Sequence, residues 1–190
     1  MTFDPMKDLL TAQSSKPSNL LPIDMNALTP FQRALITIDG TVTKFIEAYT
    51  MESVRVSCLS QCEKTLDSEH SWLALDKNSP VTIREVFLQG EQSEKIYAYA
   101  VTLIAPDALD SSVSDGLKVE GGSIGRLLQN NKMETYREVL WYGKQRLDNL
   151  PKTLAKLNGT DFLSRTYRII SEGKPLMLIN ENFPLLSSID

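Results

Sequence analysis

Histidine and cysteine are nearly missing from this 190-residue chain, which has one histidine, His70, and two cysteines, Cys58 and Cys62. Two cysteines four positions apart give no disulfide framework for a chain of this length. A structural zinc site takes about four protein ligands, and a catalytic one about three plus an open position. Cys58, Cys62 and His70 could supply three, but the polar segment 63–71 between them lacks the usual ligand spacing, so no metal is expected. A single histidine also leaves little room for Ser-His-Asp or Cys-His catalysis. His70 follows Asp67-Ser68-Glu69, which reads as a solvated loop. Long apolar runs are missing too: no window reaches the roughly 18 apolar residues of a membrane span. The opening segment 1–10 has no apolar core of a signal peptide. A cytoplasmic protein in a reducing compartment is expected. Excess positive charge is absent as well, with 20 Lys and Arg against 24 Asp and Glu and a net charge of −4. That is no footprint of a nucleic-acid binder. An anionic ligand would have to be drawn by a few local arginines rather than by the overall field.

What is present is an ordinary globular composition, 42% hydrophobic and 23% charged, in a length that suits one domain. Residues 1–27 include Ser14-Ser15-Lys16-Pro17-Ser18-Asn19 and little periodicity, and read as an N-terminal arm or tail. The domain is placed at 28–190. Thr29-Pro30 opens a helix, threonine as N-cap and proline at the first helical position, and Phe31, Leu35 and Ile38 follow at helical spacing. Asp39-Gly40 breaks the run, and Thr41 starts a second helix with Val42, Phe45, Ile46 and Tyr49 on it. The pattern turns to period two at Ser53, through Val54, Val56 and Cys58. Strands follow at 81–89 and 96–104, joined by a polar hairpin loop. Ser123 caps a short helix over 124–128, a strand covers 135–142, and 147–157 is an insertion, helical or irregular. Two last strands, 162–171 and 176–183, flank the turn Glu172-Gly173-Lys174-Pro175. Long strands with helices at the start and middle indicate an α+β domain, one antiparallel sheet covered by helices.

Two charged residues sit on apolar strand faces. Arg84 shares its face with Thr82, Val86 and Leu88, and an unpaired charge there is costly. Its planar fork suits a carboxylate, in a structural ion pair or in a ligand. Glu181 shares a face with Met177, Ile179 and Phe183. A carboxyl group in apolar surroundings should have a raised pKa, which suits acid–base work or a hydrogen bond near neutral pH; pairing with a core cation is the other reading. Gly121-Gly122-Ser123-Ile124-Gly125-Arg126 can offer backbone N–H groups to an anion or serve as a turn with a helix cap. Arg165 and Arg168 fall on opposite faces of their strand, so at most one of them can enter a shared cavity.

In order along the chain, Leu28-Thr29-Pro30-Phe31-Gln32-Arg33-Ala34-Leu35, Asp39-Gly40-Thr41-Val42-Thr43-Lys44, Ile83-Arg84-Glu85-Val86, Ser123-Ile124-Gly125-Arg126 and Gly173-Lys174-Pro175-Leu176 resemble the chorismate pyruvate-lyases. The likeness covers 28–184 and is nearest to the branch of cyanobacteria and plastids. It implies a buried site closed by helical flaps, no cofactor, chorismate as the small-molecule partner, and 4-hydroxybenzoate and pyruvate as products, for plastoquinone or ubiquinone synthesis. A monomer or weak oligomer is expected. Arg84 then pairs with the ring carboxylate. Val42 and Ile124 lie near the ligand, Ile124 through its backbone N–H, with Gly125 and Arg126 beside it. The family glutamate that contacts the 4-hydroxyl matches Glu181 by its Glu-x-Phe motif, but counting from Gly173-Lys174-Pro175 puts Asn180 in that place. Chemistry favours Glu181. Arg165 or Arg126 is the candidate for the enolpyruvyl carboxylate. A sensor domain of the same fold, and a lyase for a related enolpyruvyl acid, are the alternatives. Sensor domains usually follow a basic winged helix, and none is read before residue 28.

Overall fold

The computed structural model describes residues 6, 8–109, 111–118 and 123–185. Six strands form one antiparallel sheet: β1 (Val54–Thr65), β2 (Pro80–Gly90), β3 (Ile96–Ile104), β4 (Tyr136–Leu147), β5 (Thr160–Ser171) and β6 (Lys174–Pro184), in the order β1-β2-β3-β6-β5-β4. Among the described residues four α-helices accompany it: α1 (Pro30–Thr37), α2 (Val42–Thr50), α3 (Ser111–Lys118) and α4 (Ile124–Asn130). The fold is α+β, as the patterning indicated. Among the described residues no helix is long and apolar enough to cross a membrane.

The first helix begins where its residues require. Thr29 accepts from the Gln32 backbone N–H and Gln32 reaches back to the Thr29 N–H, a full capping box with proline next. Phe31, Leu35 and Ile36 are buried. With Val42 and Ile46 of α2 they pack on Leu88, Ala98, Leu163 and Phe183 of the sheet. A second apolar cluster joins Val113, Leu117 and Leu128 of α3 and α4 to Ile104, Tyr167, Ile169, Met177 and Ile179. Both helix pairs thus cover one face of the sheet, each over its own patch. The short helix α3 buries Val113 and Leu117, one turn apart, in an otherwise polar stretch, and the sequence reading missed it. Ser123 precedes α4, but its side chain makes no cap bond.

Several elements run longer than their apolar pattern. β1 continues to Thr65 across a bulge at Cys58/Ser60, with a mostly exposed second half. β4 continues to Leu147. Segment 152–157 is a 3₁₀ turn that buries Leu154 and Leu157. Residues 8–27 are not a loose tail. Thr11 and Ala12 donate to the Val139 and Leu140 carbonyls, and Leu21 bridges Lys144 in both directions. Ala12, Leu20 and Met25 are buried. This segment occupies the free edge of β4, which would otherwise present unpaired backbone groups.

Two carboxylates hold the bend from α2 into β1: Glu47 accepts from the Val54 backbone N–H, and Glu52 ties the bend to the β2–β3 hairpin. Met51 takes the left-handed conformation with φ 57°. Glu52 then accepts from the Gln92 and Ser93 backbone N–H groups, the Ser93 hydroxyl and the Tyr97 phenol. Gly90 is small because a Cβ there would lie 2.4 Å from the Glu52 carboxylate. The bonds from Tyr97 and Ser93 lower the Glu52 pKa from 4.5 to about 2. A depressed carboxylate contributes its stability above the unfolded value and loses it as pH falls through the folded one. Glu52→Gln is therefore expected to melt below the parent at pH 7. The difference should shrink as pH falls from 4.5 toward 2, in thermal melts followed by circular dichroism. A constant difference over that window would mean that charge has no part in the anchor.

Candidate active site

Between the two apolar clusters the sheet leaves a hollow of about 80 Å³. A water needs roughly 10–15 Å³ by this measure, so the space suits a small ring rather than a single solvent molecule. The floor is β3, where Ala98, Ala100 and Thr102 face the hollow. Their small side chains keep it open while larger ones rise around it. Arg84, Val86 and Leu88 of β2 form one wall; Ile179 and Glu181 of β6, Tyr167 and Ile169 of β5, and Arg137 of β4 form the other. The roof is two helix starts, Gly40–Thr43 at α2 and Ser123–Gly125 at α4. They close against each other: a Cβ on Gly125 would stand 2.8 Å from the Thr41 hydroxyl. A wider groove of about 400 Å³ lies elsewhere, along Leu73–Leu75, Ala105–Ala108 and Ser171–Leu176. Its charged residues, Asp107, Glu172 and Lys174, are all exposed, so it lacks buried groups converging on a guest.

The charged groups of the hollow are individually supported. Arg84 is 2% exposed, and its Nε donates to Gln61 Oε1 at 3.1 Å across the β1–β2 pair. Burial pushes its guanidinium down from the ordinary value, yet arginine stays a cation. Glu181 has different company. Its Oε2 accepts from Arg165 Nε at 2.7 Å and its Oε1 from the Tyr167 phenol at 3.2 Å. Arg165, 1% exposed, also donates to the Ile36 and Ile38 carbonyls, which ties the end of α1 to the sheet. Burial works against the Arg165 cation, but the Glu181 carboxylate and Tyr167 outweigh it and raise its pKa. Burial and then Glu181 raise the Tyr167 phenol, which therefore stays protonated. Of the readings given for Glu181, pairing with a core cation is the one found: the Arg165 guanidinium and the Tyr167 phenol meet it. Each carboxylate oxygen has a second lone pair for a guest.

The profile of the family described as "Chorismate pyruvate-lyase Rv2949c-like" matches residues 36–189. The chain belongs to that family. The chorismate pyruvate-lyase of Mycobacterium tuberculosis H37Rv is 29% identical over 161 residues, 80% of this chain and 78% of that protein. That of Mycobacterium leprae is 27% identical over 157 residues, 80% and 72%. Among solved structures, the effector domain of PhnF from Mycobacterium smegmatis superposes with TM-score 0.60 at 12% identity, covering 87% of this chain and 92% of that one. A GntR-family regulator from Bacillus cereus gives 0.53 at 10%, covering 72% and 95%. Lyase family and regulator domains share the fold, so fold alone does not choose an activity.

Within this member of the lyase family, Arg84, Val42, Ile124, Gly125 and Glu181 come together around one hollow. Arg165 lies beneath it, joined through Glu181. Arg126 is exposed and turns to a separate crevice with Thr41, Lys44 and Gln129. Gly121 and Gly122 lie outside the described residues. Asn180 faces the other side of the sheet, where it donates to Ser164 and Thr166 hydroxyls. The turn at 172–173 alone would set Asn180 opposite Arg165. A bulge at Ile169/Ile170 leaves Leu176 without a partner, and Arg165 pairs with Glu181 instead. His70, expected to be solvated, is half-buried, with Nδ1 enclosed and without a partner. Cys58 and Cys62 are exposed and free. Two ionisable lining residues escaped the sequence reading: Tyr167, hidden in an apolar run, and Arg137, which stands in the mixed stretch Tyr136-Arg137-Glu138 and looks like a solvated strand start.

Proposed function

We propose that the protein is a chorismate lyase. Chorismate is a dianion with an enolpyruvyl ether at C3 of a cyclohexadiene ring. Breaking the C3–O bond and losing the C4 proton makes the ring aromatic and gives 4-hydroxybenzoate, while the leaving enolpyruvate takes a proton and becomes pyruvate. The balance needs no oxidant or co-reactant. The protein's task is to hold the acid, fix its conformer and move one proton. Arg84 binds the ring carboxylate as a fork. Glu181, aimed by Arg165 and Tyr167, sits at the C4 end as proton acceptor or partner of the 4-hydroxyl. Val42 and the Ile124 N–H close over the ring from the flaps. Fixed charges in a water-poor hollow lower a barrier more than the same charges in water. The product would serve quinone synthesis.

The observation that carries this reading is one hollow, floored by small residues, with a buried guanidinium on β2 and a carboxylate on β6. The test is incubation of the pure protein with chorismate, following pyruvate by a coupled reductase and 4-hydroxybenzoate by chromatography. Equimolar appearance of both supports the lyase. Tight 4-hydroxybenzoate binding with no pyruvate would replace it by a sensor, the role the shared regulator fold suggests. Inertness toward chorismate, with turnover of another enolpyruvyl acid, would move the substrate and keep the reaction class.

A further inference from the structure

Chorismate carries two carboxylates, and Arg84 accounts for one. The other candidates named from sequence are less well placed: Arg126 faces a different crevice, and Arg165 does not line the hollow and spends its Nε and Nη1 on Glu181 and two carbonyls, with its Nη2 enclosed and, among the described residues, unpartnered beneath. Arg137 lines the hollow from β4, four strands away from Arg84. Four strand spacings separate the two backbones by about 19 Å. The two arginine side chains shorten the span that a guest has to bridge. Among the described residues, Arg137 Nε is enclosed and has no hydrogen-bond partner. Its Nη1 stands 3.5 Å from Asp39 Oδ1, in the turn between α1 and α2, and that carboxylate is 73% exposed. Such a loose, wet ion pair holds little energy and yields readily to a desolvated anion. An enclosed guanidinium N–H without an acceptor is a costly state that a bound carboxylate relieves.

We infer that Arg137 is the second carboxylate anchor of the site, receiving the acid group carried on the C3 substituent while Asp39 keeps the guanidinium turned toward the flap joint. This deepens the lyase reading and rests on it for the identity of the guest. It makes the hollow a site for ring dicarboxylates: Arg84 and Arg137 stand at its two ends, and Glu181, already balanced by Arg165, stands between them.

The test measures binding by calorimetry, which does not depend on turnover. Two stable probes are compared: 4-hydroxybenzoate, with one carboxylate, and 3-(carboxymethoxy)-4-hydroxybenzoate, with a second one on an unreactive ether. The parent is expected to prefer the diacid. Arg137→Gln should weaken the diacid by about tenfold or more, the loss of one charge-assisted contact, and leave 4-hydroxybenzoate within about twofold. Arg137→Lys, which keeps the charge and loses the fork, should fall between. Equal weakening of both probes, or of neither, overturns the assignment, as does a parent with no preference. A parent that prefers the diacid but releases no pyruvate from chorismate sinks the lyase reading and leaves the second anchor standing.

Discussion

Arg84→Ala is expected to abolish measurable pyruvate release from chorismate and to weaken 4-hydroxybenzoate binding by about a hundredfold, the loss of two charge-assisted bonds. The side chain is almost wholly buried, and burial already disfavours its charge. A ligand carboxylate adds a countercharge inside the hollow, so ligand and arginine stabilise each other. Truncation also removes the Arg84–Gln61 hydrogen bond and enlarges the hollow, so melting curves must accompany the binding and turnover measurements. Arg84→Lys restores the charge without the planar fork and should recover only part of the binding. Full turnover by Arg84→Ala, measured on folded protein, would end the ring-carboxylate assignment.

The second large effect is a ranking. Glu181→Gln is expected to lower kcat by at least about a hundredfold, the scale of a lost general base, whereas Asn180→Ala should leave kcat within about threefold of the parent. The two residues are neighbours on opposite faces. Asn180 belongs to a polar net with Ser164, Thr166 and Asn182 on the side away from the hollow. Its loss costs hydrogen bonds and stability. Glu181→Gln keeps the shape but leaves the Arg165 cation without its countercharge, and breaking a buried pair from one side costs about 3–5 kcal/mol. Melting curves must accompany the kinetics, since both variants should be less stable and only one should lose turnover. The reverse kinetic ranking would put the chemistry on the wrong strand face.

The strand faces of Arg84 and of Asn180 against Glu181 show how far the sequence could be read. Alternation in Val81–Leu88 placed Arg84 inward, because β2 has no irregularity before Leu88. The turn at Glu172-Gly173 was equally legible, both residues having positive φ. What could not be read was the bulge at Leu176, since nothing in an apolar run says which residue the ladder skips. Alternation from Met177 to Phe183 already put Glu181 on the apolar face, and the skip is what reconciles that face with the count from the turn. The Arg165–Glu181 pair was hidden for the same reason. Arg137 was hidden for another: its burial depends on flaps contributed by distant segments, and a charged strand start looks alike whether or not something later covers it. The exposed half of β1 carries no apolar period and exists as a strand because β2 offers it a ladder.

The roof and the walls of the hollow are built differently. Walls and floor belong to a sheet laddered from edge to edge, with one rim sealed by the N-terminal segment. The roof is two short helix starts whose meeting depends on residue 125 having no side chain. Selectivity and residence time are therefore written in separate parts of the chain. Replacements on β2, β3 and β6 choose which acid is retained, and replacements around Thr41 and Gly125 set how long it stays, so the two properties can drift independently among descendants of one ancestor.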